Sequence, residues 1–339
     1  MSEEEIDIVY LWCDDRDVAW RQKRARFAAE HGYVLGGETS GACRTRSNDD
    51  LQYSLRSVDR YAPFIRRIHI VIDEDAAPPS WLDLSDERIR IVRLDEFMPA
   101  EILPCFNSSA IEHFLFRIPG LSERFLYAND DFMFNRNVER DFFFSAKDGW
   151  PICRFAGKRY DGGDETRMPP YQRSVAKADG LVRAAFGLNG DFAKSFGHYP
   201  HHNIDCYVKS DMAACRRYFG DGVFRDALRP FRSDGNIERA IYCSYALAVG
   251  HAHYRLARDG VSLKRPWYKR LVRPGYADSL IFLAGRWQSD AERQLRRFNP
   301  ALFCFNDNSK VTEDDRVWLR EFYARRFPVP SQYERGADA

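Results

Sequence analysis

Residues 124–131, Arg-Phe-Leu-Tyr-Ala-Asn-Asp-Asp, bring one amide and two carboxylates together at the end of an apolar, aromatic run. Adjacent carboxylates beside an amide suit a hard cation such as Mg²⁺, which takes oxygen ligands and leaves positions for substrate phosphates. The run has the length of a buried strand, and in open α/β sheets ligands bind beyond the carboxyl ends of strands. The competing reading is an ordinary polar turn, because Asn and Asp are common turn residues. A second apolar run, Leu302-Phe303-Cys304-Phe305, stops in the same way at Asn306-Asp307-Asn308.

Other groups are placed for chemistry. Asp14, Asp15 and Asp17 lie in a dense polar turn directly after the apolar run 6–12. A glycine-containing loop over 36–50 ends in Arg44, Arg46, Asn48, Asp49 and Asp50. Arg matches phosphate oxygens through its bidentate fork. His198-Tyr199-Pro200-His201-His202 raises a zinc reading, and a general acid or base reading stands level with it. Arg232, just before a helix, suits an anion site or a surface salt bridge. Residues 264–297 mix basic and aromatic side chains, and read as a solvated face or as a landing area for an anionic or carbohydrate acceptor.

The elements that would hold these groups follow from periodicity. Strands are expected at 6–12, 67–72, 88–92 and 124–128, and helices at 18–31 and 50–61, the latter ended by Pro63. A further helix begins near Ser108 as N-cap, with Ile111, Phe114, Leu115 and Ile118 on one face. Strand–helix–strand–strand–helix–strand implies a mostly parallel sheet over the first 145 residues. Residues 146–197 show no clear period and read as a lid or acceptor-facing insertion. After them come a helix at 203–219, another carrying Ile237, Ala240, Ile241, Ser244, Tyr245 and Ala248 on one face, the strand 302–305 and a helix at 312–326. The expected fold is therefore α/β and Rossmann-like or GT-A-like, a mostly parallel sheet flanked by helices with a helical/loop insertion.

Composition narrows the function classes. With 51 Lys plus Arg against 50 Asp plus Glu, the net charge of +1 gives no field suited to nucleic acid. No apolar run reaches the length of a membrane span. The start, Met-Ser-Glu-Glu-Glu, lacks a signal peptide's basic and apolar regions, so a cytoplasmic location is the default expectation. The 8 cysteines include no C-x-x-C pair and read as small buried hydrophobes or free thiols.

Four blocks make the chain resemble the Stealth family of sugar-phosphate transferases. They are residues 6–17; the stretch from Arg44 to Phe134, with Asp50-Leu51-Gln52-Tyr53-Ser54-Leu55, Phe106-Asn107-Ser108, Arg117-Ile118-Pro119-Gly120 and Asn129-Asp130-Asp131; His198-Tyr199-Pro200-His201 through Arg232 to Tyr245; and Phe303-Cys304-Phe305-Asn306-Asp307-Asn308. Ser47, Cys13, Asp15 and Phe116 depart from the family's usual residues. The resemblance implies transfer of hexose-1-phosphate from a nucleotide sugar, usually a UDP-sugar, to the hydroxyl of a glycan or other acceptor, with release of UMP. It implies one catalytic domain over 1–339, with a nucleotide-sugar-binding half (1–145), the insertion (146–197), a second half completing the site (198–327) and a tail (328–339). It also implies Mg²⁺ or Mn²⁺ held by Asp130, Asp131 and Asp307, with Arg44, Arg46 and Arg232 facing phosphoryl oxygens and His198 as general base. The turn at Asp14, Asp15 and Asp17 would contact the nucleoside, and Asn48, Asn107, Asn129 and His201 complete the expected substrate set. A peripheral association with the inner membrane face, and any oligomeric state, stay open. The alternatives are a GT-A glycosyltransferase that releases UDP, a non-catalytic glycan- or nucleotide-binding module and, more distantly, a hydrolytic zinc enzyme using His198, His201 and His202.

Overall fold

The structure, a computed structural model, describes residues 5–36, 45–160, 168–232, 237–258, 277–283, 287–307 and 310–336. Arg44, Ser233, Asp234, Asn308 and the 264–276 part of the basic stretch lie outside the described residues. In chain order the elements are β1 (Ile6–Leu11), α1 (Val18–Glu30), α2 (Asp50–Tyr61), β2 (Ile65–Ile72), β3 (Ile89–Arg93), α3 (Ser108–Glu112), β4 (Arg124–Asn129) and β5 (Phe132–Phe134). There follow β6 (Ile152–Arg159), α4 (Pro170–Phe186), α5 (Gly190–Ser195), β7 (His198–Pro200), β8 (Asp205–Val208), α6 (Lys209–Phe224) and α7 (Ala240–Ala248). The chain continues through β9 (His253–Leu256), β10 (Ser279–Leu283), α8 (Trp287–Phe298), β11 (Leu302–Asn306) and α9 (Glu313–Arg326). By chain contacts it divides into two compact units: Ile8–Arg93 with Ala128–Val138 and Arg258–Ala339, and Met1–Asp7 with Leu94–Tyr127 and Glu139–Ala257.

In the first unit β2, Ile-Arg-Arg-Ile-His-Ile-Val-Ile, buries its β-branched residues and pairs in parallel with β3, from Ile68 opposite Ile89 to Ile72 opposite Arg93. A second sheet runs β10-β11-β5, parallel between β10 and β11 and antiparallel between β11 and β5. Met133, Leu280, Phe282, Phe303 and Phe305 bury one core with Leu295 of α8 and Leu319, Phe322 and Tyr323 of α9. Helix α9 starts on a capping box in which Thr312 and Asp315 bond each other's backbone N–H. Helix α2 covers the other edge of β5. Ser54 Oγ donates to the Phe132 carbonyl at 2.6 Å, and Ser57 Oγ accepts from the Phe134 N–H at 2.9 Å. Two serines on a buried helix face thus satisfy a strand edge that would otherwise hold open backbone groups.

The second unit pairs β4 antiparallel with β8, Arg124 opposite Val208 and Tyr127 opposite Asp205. Its other sheet sets β6 between antiparallel β7 and parallel β9, with α7 packed against α4, α5 and α6. Asp179 of α4 is buried and accepts from both Ser244 of α7 and Tyr160, which joins these helices to the end of β6.

The α/β class agrees with expectation, parallel strands and helices included, and the pairing is mixed. Three local readings are corrected. Residues 205–208, expected within a helix, form β8, because the open edge of β4 supplies their backbone partners; the helix begins only at Lys209. Asn107 rather than Ser108 is the N-cap, its side chain accepting from Ser109 N, and α3 ends at Glu112 before a 3₁₀ turn at Leu115–Arg117. Within 146–197, β6, α4 and α5 are regular elements. Among the described residues no helix is long and apolar enough to cross a membrane.

Ser57→Ala deletes the acceptor for a buried backbone N–H while barely changing volume. It is expected to lower unfolding free energy by ~1–3 kcal/mol, read as a lower midpoint with unchanged slope in urea denaturation.

Candidate active site

The first unit collects four carboxylates from three places in the chain. Asp130 and Asp131 form the turn between β4 and β5, Asp307 follows β11, and Asp50 opens α2. The β5–β11 register puts Phe132 opposite Cys304, and Cys304 Sγ donates to Asp131 Oδ2 at 3.0 Å. Burial and the neighbouring Asp131 push the Cys304 thiol well above its usual range, so it stays protonated as the donor. Asp307 is held by Arg316 of α9 through both carboxylate oxygens, at 2.7 and 3.2 Å. The same guanidinium reaches Asn48 Oδ1 at 3.0 Å, and the Asn48 N–H donates to Asp50 Oδ2 at 2.9 Å. Tyr323, two turns along α9 from Arg316, donates to the other oxygen of Asp50 at 3.2 Å.

This arrangement strains against its own charge. Burial pushes the Asp50 carboxyl up to about 7, with Asp131 and Asp307 adding to the rise, while the Asn48 and Tyr323 donors oppose it. Asp130 is pushed well above the ordinary carboxylate range by burial and then by Asp50 and Asp131. Oxygen donors that repel one another in a sheltered place have the chemistry a hard divalent cation relieves. Asp130, Asp131 and Asp307 do not come within 4.8 Å of one another as a trio. Among the described residues the trio that does is Asp73, Glu74 and Asp75, where Lys23 Nζ already sits at 2.7, 2.6 and 2.9 Å from the three.

The turn after β1 belongs to the same unit. Asp17 caps α1 by accepting from Trp20 N at 3.0 Å, a structural task. Asp14 is paired with Arg16 at 2.7 Å, and Arg16 extends to Asp49 at 3.0 Å. Asp49 stands at φ 64°, a left-handed conformation that Asp tolerates better than most residues. The Asp15 N–H donates to the Thr45 carbonyl at 3.1 Å and its carboxylate lies 3.9 Å from Arg46. The β1 turn and the 45–50 loop are therefore laced together.

The other expected residues lie in the second unit. His198 Nδ1 is 2.8 Å from the Ala156 carbonyl, so Nδ1 carries the proton and Nε2 is the ring's acceptor, facing Arg159 Nη1 at 3.1 Å. Arg232 Nη2 donates to Ser108 Oγ at 2.5 Å. Asn107 is fully buried and committed locally, to Ser109 N at 3.1 Å and the Arg229 carbonyl at 2.9 Å. His201 is buried, with its N–H on the Arg154 carbonyl at 2.9 Å. Among the described residues His198, His201 and His202 form no metal-binding group, which leaves the zinc reading without a ligand set. A cluster that sequence reasoning missed surrounds Arg239, which contacts Asp205 at 2.7 Å, Glu238 at 3.0 Å and Glu112 at 3.3 Å. Tyr127 donates to Glu112 at 2.9 Å beneath the same guanidinium.

Residues 44–151 match the family model described as Stealth protein CR2, conserved region 2, and residues 293–339 match Stealth protein CR4, conserved region 4. The chain thus carries two of the conserved regions of the Stealth family. It is 32% identical over 339 residues to an exopolysaccharide phosphotransferase of Streptomyces coelicolor, covering 98% of this chain and 52% of that protein. It is 34% identical over 337 residues to the exopolysaccharide phosphotransferase CpsY of Mycobacterium tuberculosis, covering 98% of this chain and 58% of CpsY. To an exopolysaccharide phosphotransferase of Nocardia farcinica it is 33% identical over 343 residues, covering 98% and 61%. The chain thus spans between half and two thirds of the length of these relatives. Among solved structures it is similar to the galactosyltransferase LgtC in complex with donor and acceptor sugar analogs, at 10% identity, a TM-score of 0.41 and 96% coverage of both chains. A likeness that slight transfers no residue roles.

The charge strain gives a pH signature. Because the folded Asp50 has its pKa raised to about 7, its protonated form contributes stability that is fully present below the unfolded value of ~3.9 and is lost as pH rises through about 7. With chelator present, wild-type protein is expected to lose ~2–4 kcal/mol of unfolding free energy between pH 5 and 8 through this group. Asp50→Asn should flatten that slope in parallel denaturation series, and an unchanged slope would assign the strain elsewhere.

Proposed function

We propose that this chain transfers a sugar phosphate from a nucleotide sugar to an acceptor hydroxyl, a reaction of the kind its relatives' names describe. The observation that carries the reading is the strand-end cluster of Asp50, Asp130, Asp131 and Asp307, in which the raised carboxyls of Asp50 and Asp130 ask for positive charge. Phosphoryl transfer depends on in-line positioning and charge neutralisation more than on covalent chemistry by the protein. Asp130, Asp131 and Asp307 are the residues that would hold Mg²⁺ or Mn²⁺, which when bound neutralises the diphosphate. The Asp14–Arg16–Asp49 and Asp15–Arg46 pairs border the nucleoside end of the donor, where Asn48 and Asn129 add amide groups. Arg44 and Arg232 supply guanidinium groups to the phosphoryl oxygens, and Asn107 and His201 complete the substrate-binding set.

The acceptor oxygen attacks the phosphorus that bears the sugar, and the bond from that phosphorus to the bridging oxygen breaks. UMP leaves and the sugar's C1–O bond stays intact. His198 takes the hydroxyl proton at Nε2, the atom left as acceptor by the Nδ1–H bond to Ala156. Arg159, exposed and donating to Nε2 here, must turn aside before that atom can take the proton. The relatives are named for exopolysaccharide, so a glycan hydroxyl is the acceptor this reading selects.

The test is incubation with a panel of nucleotide sugars, Mg²⁺ or Mn²⁺ and an oligosaccharide acceptor, followed by chromatography of the nucleotide. UMP with a phosphodiester product is expected; UDP with a glycoside would replace the reading by that of a glycosyltransferase. His198→Ala is expected to lower kcat by ~10²–10⁴-fold while donor affinity by calorimetry is kept. Asp131→Asn should remove the cation-dependent part of the rate, and an undiminished metal response would take Asp131 out of the ligand set.

A further inference from the structure

Helix α9 presents Arg316, Leu319 and Tyr323 on one buried face, spaced three and four residues apart. Leu319 belongs to the aromatic core, but its two neighbours along the stripe are polar and point their heads into the carboxylate cluster. Arg316 is 3% exposed, a position where a charge is retained only if it is well paired. Its fork closes on both oxygens of Asp307, and its Nη1 is shared between Asp307 and Asn48. Asn48 passes the connection on through its backbone N–H to Asp50. The chain Asp307–Arg316–Asn48–Asp50–Tyr323 thus starts beside and ends on one helix.

We propose that Arg316 is a positioning residue for the cation-binding carboxylates. Its guanidinium sets the orientation of Asp307 and anchors the 45–50 loop through Asn48, so that the donor-binding loop and the β11 carboxylate are held in one fixed relation. The proposal rests on the reading of this cluster as the cation and donor site. Planarity matters here as much as charge, because a fork can hold two carboxylate oxygens and an amide oxygen together, whereas an ammonium group is a point donor on a flexible stem. The guanidinium also makes Asp307 a ligand of restrained approach, with both of its oxygens already turned toward α9.

Arg316→Lys keeps the charge and removes the fork, so it isolates geometry. The full chain is titrated with Mn²⁺ alone, free Mn²⁺ being followed by electron paramagnetic resonance, and turnover is measured separately on the donor that wild type accepts. Arg316→Lys is expected to weaken Mn²⁺ binding by roughly 10–100-fold, the range for losing an outer partner of a metal ligand, and to lower kcat with a smaller change in donor KM. Asp307→Asn should weaken Mn²⁺ to a similar degree, and the double variant should be no weaker than the worse single one, because both changes break one unit. A merely structural Arg316 would lower the melting temperature and leave the Mn²⁺ midpoint alone. A midpoint within twofold of wild type in Arg316→Lys, or losses that multiply in the double variant, overturns the proposal. Should Arg316→Lys not fold, Asn48→Ala leaves the buried ion pair intact and cuts only the link to the loop. It must then weaken Mn²⁺ binding severalfold, and an unshifted midpoint overturns the proposal equally. Wild type that binds Mn²⁺ but transfers no sugar phosphate sinks the functional reading and leaves this test standing.

Discussion

Mutual repulsion among carboxylates is the constraint on which the first unit depends. Two unit charges ~4 Å apart interact by about 4 kcal/mol at an effective dielectric constant near 20, so four acidic side chains near one another oppose folding unless something answers them. Arg316 answers Asp307, hydrogen bonds from Asn48 and Tyr323 answer Asp50, and the Cys304 thiol answers Asp131. What these do not cover shows in the carboxyls of Asp50 and Asp130, held above their ordinary range. A fold that keeps such a cluster forgoes stability that apolar residues would have supplied. That is the usual mark of a place kept for binding or chemistry.

The second unit resolves the same problem in the opposite way. Glu112, Asp205 and Glu238 converge on Arg239 beside the ring of Tyr127, so three carboxylates share one guanidinium and the surplus charge faces a single half-buried cation. Arg239 precedes α7 and Asp205 begins β8, so the ion cluster also fixes where a helix and a strand begin. In the first unit the positive charge comes from a helix whose apolar face is already committed to the core, and the orientation of the cluster is inherited from that packing.

How much of this could be read from the amino-acid sequence depends on how local each cause is. The strand ends at Asn129 and Asn306 were legible because an apolar run that stops at Asn-Asp carries both its burial and its chemistry in consecutive residues. Helix α2 was legible from its pattern and from Pro63, and the lacing of the β1 turn was foreshadowed by its density of Asp and Arg. Strand β8 was not, since four residues before a helix have too short a pattern, and the pairing of Arg124 with Val208 that decides their state lies far along the chain. Arg316 was missed although a signal existed: in Glu-Asp-Asp-Arg-Val-Trp-Leu-Arg-Glu-Phe-Tyr it falls on the stripe shared by Leu319 and Tyr323, a charge on a core-facing helix position. The burial of Asp50 had the same kind of signal, sitting on the face of α2 that also holds Leu51, Ser54, Leu55 and Val58. Asn107 also caps α3, a task the sequence shows no more clearly than a ligand role, because a polar residue ahead of a helix suits either.

The two segments that match the family models meet in this cluster. Asn48, Asp50, Asp130 and Asp131 come from residues 44–151, and Arg316 and Tyr323 from residues 293–339, with Asp307 between β11 and α9 in the same second segment. The whole hydrogen-bond chain from Asp307 to Tyr323 closes inside one compact unit. Its geometry therefore depends on the β5–β11 register, on the serine contacts that seat α2 against β5, and on the packing of α9, all of which are local to that unit. Asp131 keeps its place relative to the strand of Cys304 through the ladder from Phe132–Cys304 to Phe134–Leu302, and β10, which lies between the two matched segments, flanks that strand on its other side. Closure of the acidic cluster within one unit thus holds two segments more than a hundred residues apart in register, with β10 from the intervening sequence completing the sheet and its core.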